Sequence, residues 1–206
     1  MEQTTNFGGG AVWPLSVIKE VCQLAKDKGL ATHMDGARLF NAVAASGISA
    51  KEYAEFFDSV WVDLSKGLGA PVGSVLAGSR EFIHKARYWK QRLGGAMRQA
   101  GIIAAGGIYA LNNNLKKLKE DNENARYFAE EIADLEQINL NPETVETNII
   151  IFTVNGITAD ELSNKLLKKG VRLTVMGKDL MRAVTHLDVD KKYLHINSSK
   201  TGGIFV

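Results

Sequence analysis

Cysteine is almost absent from the 206 residues, and proline occurs only three times. With Cys22 as the single thiol there is no internal disulfide and no cysteine-based metal site, so a reducing compartment such as the cytoplasm suits the chain. Long apolar runs are also missing. Hydrophobic residues make up 45% of the chain, the share of an ordinary globular protein, yet no stretch approaches a membrane span. Nor is there an excess of charge of either sign. With 25 basic and 23 acidic residues the formal net charge is +2, which gives no electrostatic reason to bind nucleic acid or an acidic membrane. The expected partner is therefore a small molecule. Met1 to Asn6 lack the basic start and apolar stretch of a secretory signal. Repeats, low-complexity linkers and the histidine, cysteine or carboxylate spacing of a transition-metal site are absent as well.

What is present alternates between helical and extended periods. Pro14 suits a helix start, and Leu15, Ile18, Cys22 and Ala25 recur at helical spacing, which predicts a helix over 14–28 closed by Gly29. Leu30 to Met34 reads as a strand delivering Asp35, followed by a helix over 37–46. Ser49 and Glu52 have capping-box spacing before a short helix. Ser59 to Val62 then reads as a strand delivering Ser65 and Lys66, with Gly73 to Ala77 as its return strand. Helices are expected over about 79–92, 97–113 and 116–135. Beyond residue 140, Asn148 to Val154 is a nearly pure apolar strand. Thr158 with Glu161 caps a helix through Lys169, and Val171 to Val175 and Leu180 to Val184 read as further strands. The tail from Asp190 to Val206 shows no period. The class is α/β.

Two segments carry the chemistry: His33-Met34-Asp35-Gly36-Ala37-Arg38 and Asp63-Leu64-Ser65-Lys66-Gly67-Leu68-Gly69. An acid, an arginine and a lysine at the carboxyl ends of neighbouring strands occupy the crevice where α/β sheets bind ligands. A lysine beside an aspartate, with glycines that admit close backbone approach, also suits a covalently held pyridoxal phosphate. Asp35 could keep a pyridinium nitrogen protonated, although Asp-Gly-Ala-Arg alone favours a plain helix cap. Lys66 is the natural Schiff-base partner, since it follows an apolar strand and opens a glycine-rich turn. That turn lacks the residue order of a P-loop. Arg38, three residues past Asp35, can turn back over the same site. Arg182 stands in an otherwise apolar strand, where a substrate carboxylate or a neighbouring acid would serve equally well as its partner. Arg98, in the loop Gly94-Gly95-Ala96-Met97-Arg98, reads first as a solvated base at a helix break. His33 and His186 read first as structural histidines, with His186 kept as a weak substrate contact.

Together with Gly8-Gly9-Gly10-Ala11-Val12-Trp13-Pro14-Leu15, Leu64 to Ser74, Gly94 to Gln99 and Val184-Thr185-His186-Leu187-Asp188, these segments resemble the low-specificity L-threonine aldolases. These are pyridoxal-phosphate lyases of the aminotransferase-like fold (fold type I), grouped with the β-eliminating lyases. The resemblance runs from about residue 2 to 190. It implies part of a large cofactor-binding domain over 1–135, with a mixed sheet flanked by helices, then a small α/β lobe over 136–190 and an irregular tail over 191–206. It further implies that Lys66 carries pyridoxal 5'-phosphate with Ser65 beside it, that Asp35 meets the ring nitrogen and that Arg38 lies on the phenolic oxygen side. Arg182 then takes the substrate carboxylate, with His186 and Arg98 as further substrate contacts. The implied reaction splits L-threonine or L-allo-threonine into glycine and an aldehyde. β-Elimination or transamination on the same fold is the alternative reaction.

The resemblance also implies departures. Members of the family are longer, and the segment that supplies their phosphate-binding loop and ring-stacking histidine has no counterpart in this sequence. Many carry a histidine where Thr5 stands, and their closing carboxyl-terminal helix is not matched by Asn197 to Val206. Weak cofactor binding, and low or absent activity of this chain on its own, is the resulting expectation, with an inactive fragment that binds at most another subunit as the alternative function. A homo-oligomer, dimer or tetramer, is implied for an intact member.

Overall fold

The computed structural model describes residues 1–194, which fall into two compact units. Met1 to Thr4 with Val12 to Leu118 form the first, and Thr5 to Ala11 with Lys119 onward form the second. The division of contacts comes after Leu118. Its cause is the inner face of one helix: Ala125, Phe128, Ala129 and Ile132 pack into the core of the second unit.

In the first unit the elements run α1 (Leu15–Asp27), β1 (His33–Gly36), α2 (Leu39–Ser46), α3 (Ala50–Ala54), β2 (Ser59–Asp63), β3 (Ser74–Gly78), α4 (Arg80–Arg92) and α5 (Gly101–Asn113). The sheet order is β1-β2-β3, with β1 parallel and β3 antiparallel to β2. Met34 and Val60 point to one face and join Ile18, Cys22, Leu39, Ala42 and Tyr53 in a buried core. Each of the larger aliphatic side chains, Ile18, Met34, Leu39 and Val60, contributes about 1.5–3 kcal/mol relative to exposure. A second cluster of Leu64, Leu68, Ala70, Ala110 and Leu118 packs below the lysine turn. Asn114 ties this cluster to the turn by donating its side-chain amide to the Leu68 carbonyl at 2.8 Å. The Ser49–Glu52 capping box forms as read from the sequence, and Gly47 closes α2 in the left-handed region at φ 74°.

Some boundaries differ from the sequence reading. β1 spans His33–Gly36 rather than 30–34. Leu30 belongs instead to the turn closing α1, where its N–H donates to the Ala25 carbonyl. The amino terminus lies along β1 as an extra edge, with Asp35 N–H donating to Met1 O and Gln3 N–H to Asp35 O, both 2.8 Å. That pairing draws Asp35 into the ladder. α5 starts at Gly101 rather than 97, because Gln99 adopts φ 51°, outside helical space.

In the second unit α6 (Leu118–Ala133) leads to β4 (Ile138–Asn139), β5 (Ile149–Val154), α7 (Ala159–Lys168), β6 (Thr174–Val175) and β7 (Leu180–Val184). The strand order is β4-β5-β7-β6, and every pairing is antiparallel. Alternation along β5 and β7 sends Ile150, Phe152, Val154, Met181 and Ala183 into the core. The Thr158–Glu161 box caps α7. β6 is shorter than the expected 171–175, while Val171 is buried ahead of it. Residues 191–194 of the expected tail are helical, and the rest of that tail lies outside the described residues.

One buried group in this unit is unbalanced. Asp121 on α6 is 3% exposed, and its Oδ2 accepts no hydrogen bond among the described residues. Burial, with a smaller contribution from the Glu120 charge, pushes its carboxyl up to about 6. Because this value lies above that of an unfolded carboxyl, the folded state holds the proton more tightly. Stability therefore falls as pH rises from about 4 to about 6, and the penalty is complete above that range. Asp121→Asn should leave stability near pH 4 almost unchanged and raise it by roughly 2–3 kcal/mol near pH 7.5. Urea unfolding at the two pH values measures the difference.

Candidate active site

The register of β1 and β2 builds the first half of the site. Asp35 is the partner of Trp61, and His33 of Ser59. Paired residues of neighbouring strands share a sheet face, and alternate residues along a strand do so as well. Asp35, Trp61 and Asp63 therefore lie on the face opposite the Met34–Val60 core, as does the His33–Ser59 pair, whose side chains meet at 2.8 Å. Asp35 Oδ1 accepts the Ala37 N–H at 3.0 Å, the local turn that leads through Arg38 into α2. Arg38 stands at the amino-terminal cap position of that helix, half-buried. Both readings of Asp35 are thus compatible with its geometry: one oxygen shapes the turn, and the other takes no hydrogen bond among the described residues.

Gly36 has a steric reason to be glycine. A Cβ built there would sit 2.4 Å from the Trp61 carbonyl oxygen, a backbone atom. The glycine lets β1 approach β2 closely and fixes Asp35 against Trp61, a different role from the ligand approach that the glycines suggest in the sequence.

Past the end of β2 the chain makes a tight polar turn. Asp63 Oδ1 accepts the Ser65 N–H at 2.7 Å and the Ser65 hydroxyl at 2.6 Å. Asp63 Oδ2 meets Lys66 Nζ at 3.2 Å. Burial raises the Asp63 pKa, but the hydrogen bonds from Ser65 and the Lys66 ammonium outweigh it and hold this carboxyl below the usual range. The Lys66 ammonium also stands 5.5 Å from the centroid of the Trp61 ring. Its side chain is 39% exposed, whereas that of Asp63 is 14% exposed. Ser65 and Lys66 are therefore engaged with Asp63, a residue that sequence reasoning passed over. The available signal was its position three residues before Lys66 with a serine between, the pattern of an aspartate-led turn.

The second unit holds the other expected residues. Arg182 lies on β7, flanked by Ile151 on β5 and Thr174 on β6. Its Nη1 donates to Asn6 Oδ1 at 2.9 Å, and its buried Nε finds no acceptor among the described residues. No carboxylate lies within ion-pair distance of Arg182 among the described residues. Asn6 was also missed, since 176 residues separate it from its partner. Thr185, next to His186, donates its hydroxyl to the Asp121 carbonyl at 2.6 Å and anchors the strand end to α6. His186 itself is turned to its own loop, where Nδ1 accepts the Asp188 N–H at 3.3 Å. Arg98 is exposed in the loop before α5. Lys66, Asp35, Arg38 and Ser65 thus belong to the first unit, and Arg182 and His186 to the second.

Such a donor set suits a carbonyl compound bearing a basic ring nitrogen, because Lys66 offers an amine and Asp35 an open carboxylate oxygen on the same sheet face. Among the described residues no cluster of histidine, cysteine or carboxylate side chains could hold a metal ion.

Known structures share this architecture. A putative L-allo-threonine aldolase from Listeria monocytogenes EGD-E superposes with a TM-score of 0.83 at 24% identity, covering 98% of this chain and 60% of that one. The α-aminoadipate aminotransferase LysN from Thermus thermophilus does so with a TM-score of 0.72 at 14% identity, covering 95% and 55%. The fold is the aminotransferase-like fold of type I pyridoxal-phosphate enzymes. The beta-eliminating lyase family model matches residues 1–155, and the chain belongs to that family. Among curated relatives, the low specificity L-threonine aldolase of Escherichia coli K12 is 41% identical over 189 residues, 92% of this chain and 55% of that protein. A probable low-specificity L-threonine aldolase of Arabidopsis thaliana is 41% identical over 200 residues, 94% and 56%. The chain spans about half the length of the curated relatives it matches.

Gly36→Ala should destabilise the protein by about 1–3 kcal/mol, through the clash with a backbone oxygen that cannot rotate away. Comparison of its urea midpoint with that of Gly47→Ala, where an added Cβ meets open space, separates the packing effect from that of the backbone angle.

Proposed function

We propose that this chain provides the lysine-bearing part of a pyridoxal 5'-phosphate site and serves the cleavage of β-hydroxy amino acids, L-threonine or L-allo-threonine, to glycine and an aldehyde. The observation that carries the proposal is the delivery of Lys66 and Asp35 to one sheet face by adjacent parallel strands. The names of the curated relatives support the choice of reaction. When bound, the cofactor would supply an electron sink for the bond breaking at the substrate Cα.

The chain's own residues supply position and charge. Lys66 would hold the cofactor covalently through Nζ. Asp35 would accept the ring-nitrogen proton on its open oxygen, with the other oxygen fixed by the Ala37 N–H. Arg38, at the start of α2, would stand on the phenolic oxygen side. Arg182 would take the substrate α-carboxylate through Nε and its free Nη, held at Nη1 by Asn6. Ser65 would act through Asp63, with His186 and Arg98 as outer contacts.

A homo-oligomer in the cytoplasm completes the proposal. Its support is the uncovered apolar surface of the first unit, where Leu93 and Ile102 are 81% and 85% exposed, and the single buried free thiol of Cys22. No helix among the described residues is long and apolar enough to cross a membrane.

Purified protein mixed with pyridoxal phosphate should develop the visible absorbance of a lysine-linked cofactor, and Lys66→Ala should lose it. A band that survives this substitution would overturn the assignment. With L-threonine, glycine and acetaldehyde are the expected products, whereas 2-oxobutyrate would mark elimination instead. Arg182→Ala should raise KM for L-threonine by ten-fold or more, about 1.4 kcal/mol or above, while the cofactor band stays in place.

A further inference from the structure

We propose that Asp63 is the positioning residue of Lys66: anchored by Ser65, its carboxylate holds the lysine ammonium against the Trp61 ring, on the sheet face that carries Asp35. The inference rests on Lys66 being the reactive amine of the proposed function and adds how that amine is kept in place.

Three contacts converge on one carboxylate. Asp63 Oδ1 takes both the N–H and the hydroxyl of Ser65, at 2.7 and 2.6 Å, so the carboxylate cannot rotate without losing two hydrogen bonds. Oδ2 is thereby aimed at Lys66 Nζ, 3.2 Å away. The lysine meets a further restraint in the aromatic face of Trp61, 5.5 Å from the same nitrogen. A lysine side chain otherwise samples many rotamers, and fixing it costs conformational entropy. Asp63 and Trp61 together restrict it from two sides. Both are paired strand residues of β2, so they move with the sheet and not with a loop.

On its own turn Asp63 faces Lys66 directly. Asp35 on β1 shares the sheet face through its register with Trp61, and Arg38 follows at the start of α2. Asp63 is the only carboxylate among the described residues within ion-pair distance of Lys66. Any carbonyl compound that reacts at Nζ has to displace this ion pair first. Asp63 therefore holds the amine in place and also restrains it until a carbonyl partner arrives.

The test uses trinitrobenzenesulfonate, which modifies free amines without any cofactor, and reads the Lys66 peptide by mass spectrometry at one fixed pH. Release of the ion pair in Asp63→Asn should speed modification of Lys66 about two- to five-fold. Asp63→Glu should bring the rate back toward wild type. Ser65→Ala, which keeps the carboxylate but removes one of its two anchors, should give a smaller rise and decides the matter if Asp63→Asn does not fold. Lys85, ion-paired with Glu81 on α4, is the internal control. A Lys66 rate unchanged in both Asp63→Asn and Ser65→Ala would overturn the proposal, and so would an equal rise at Lys85. A parallel experiment with pyridoxal phosphate and borohydride on wild type separates the two ideas. Failure to trap cofactor at Lys66 sinks the cofactor reading and leaves the trinitrobenzenesulfonate result to judge Asp63.

Discussion

Parallel pairing of β1 with β2 sets Asp35 opposite Trp61, and the polar arrangement of the first unit follows from that register. A shift of β1 by one residue would carry Met34 out of the core and turn Asp35 into it. The register is held from three directions. Met34 and Val60 are buried on the core side, and the close approach at Gly36 leaves no room for a side chain. Asp58, just before β2, accepts both the N–H and the hydroxyl of Thr32 just before β1, at 2.7 and 3.0 Å. Thr32 in turn accepts the Asp58 N–H on its own hydroxyl. The strands are thus locked at their entry, and their exits, where the chemistry lies, are aligned as a result.

The second unit reaches a comparable result with different means. The order β4-β5-β7-β6 takes the chain from β5 through α7 across to β6 before β7 returns between them, and alternation along β7 divides Met181 and Ala183, which are buried, from Arg182 between them. The arginine is fixed by a distant residue, Asn6. The segment bearing Asn6 is itself tied to the unit by Thr147, whose hydroxyl donates to the Gly10 carbonyl at 2.6 Å. Gly10 adopts φ 77°, and a Cβ there would strike the same Thr147 hydroxyl. The glycines before Val12 therefore shape the loop that presents Asn6, a structural use distinct from ligand contact.

Sequence patterning made most elements legible because their periods coincide with local signals. Ser49–Glu52 and Thr158–Glu161 mark helix starts by reciprocal hydrogen bonds between near neighbours, which a sequence displays directly. β4 is two residues long and carries no periodicity to read. The extension of β1 through Asp35 depends on the amino-terminal edge that pairs with it, a contact more than 30 residues distant. The lysine, aspartate and arginine set was visible as residue types at strand ends. Their partners Trp61 and Asn6 were not, since a register and a tertiary hydrogen bond bring them to their places, whereas Asp63 is a local turn partner whose signal lies in the sequence itself. Local chemistry can thus be read from the chain, whereas the distant groups that hold it in position depend on the completed fold.

The first unit also shows how its uncovered surface relates to its packed one. α4 has no buried residue. It persists through local terms: the Ser79 hydroxyl caps its start, Glu81 pairs with Lys85, and Arg92 lies over the Tyr88 and Trp89 rings. These are contributions of a few tenths to about 1 kcal/mol each. β3 is exposed along its whole length, although β2 binds it on one edge. α5 buries only Gly107 and Ala110 while presenting Ile108 and Tyr109 outward. Apolar area left in water by three successive elements represents hydrophobic stabilisation not yet realised. The strands that deliver Asp35 and Lys66 are packed on the opposite side, against the Ile18 and Tyr53 core. A polypeptide surface covering β3, α4 and α5 would therefore add stability next to the lysine turn without altering the register that sets the turn's geometry.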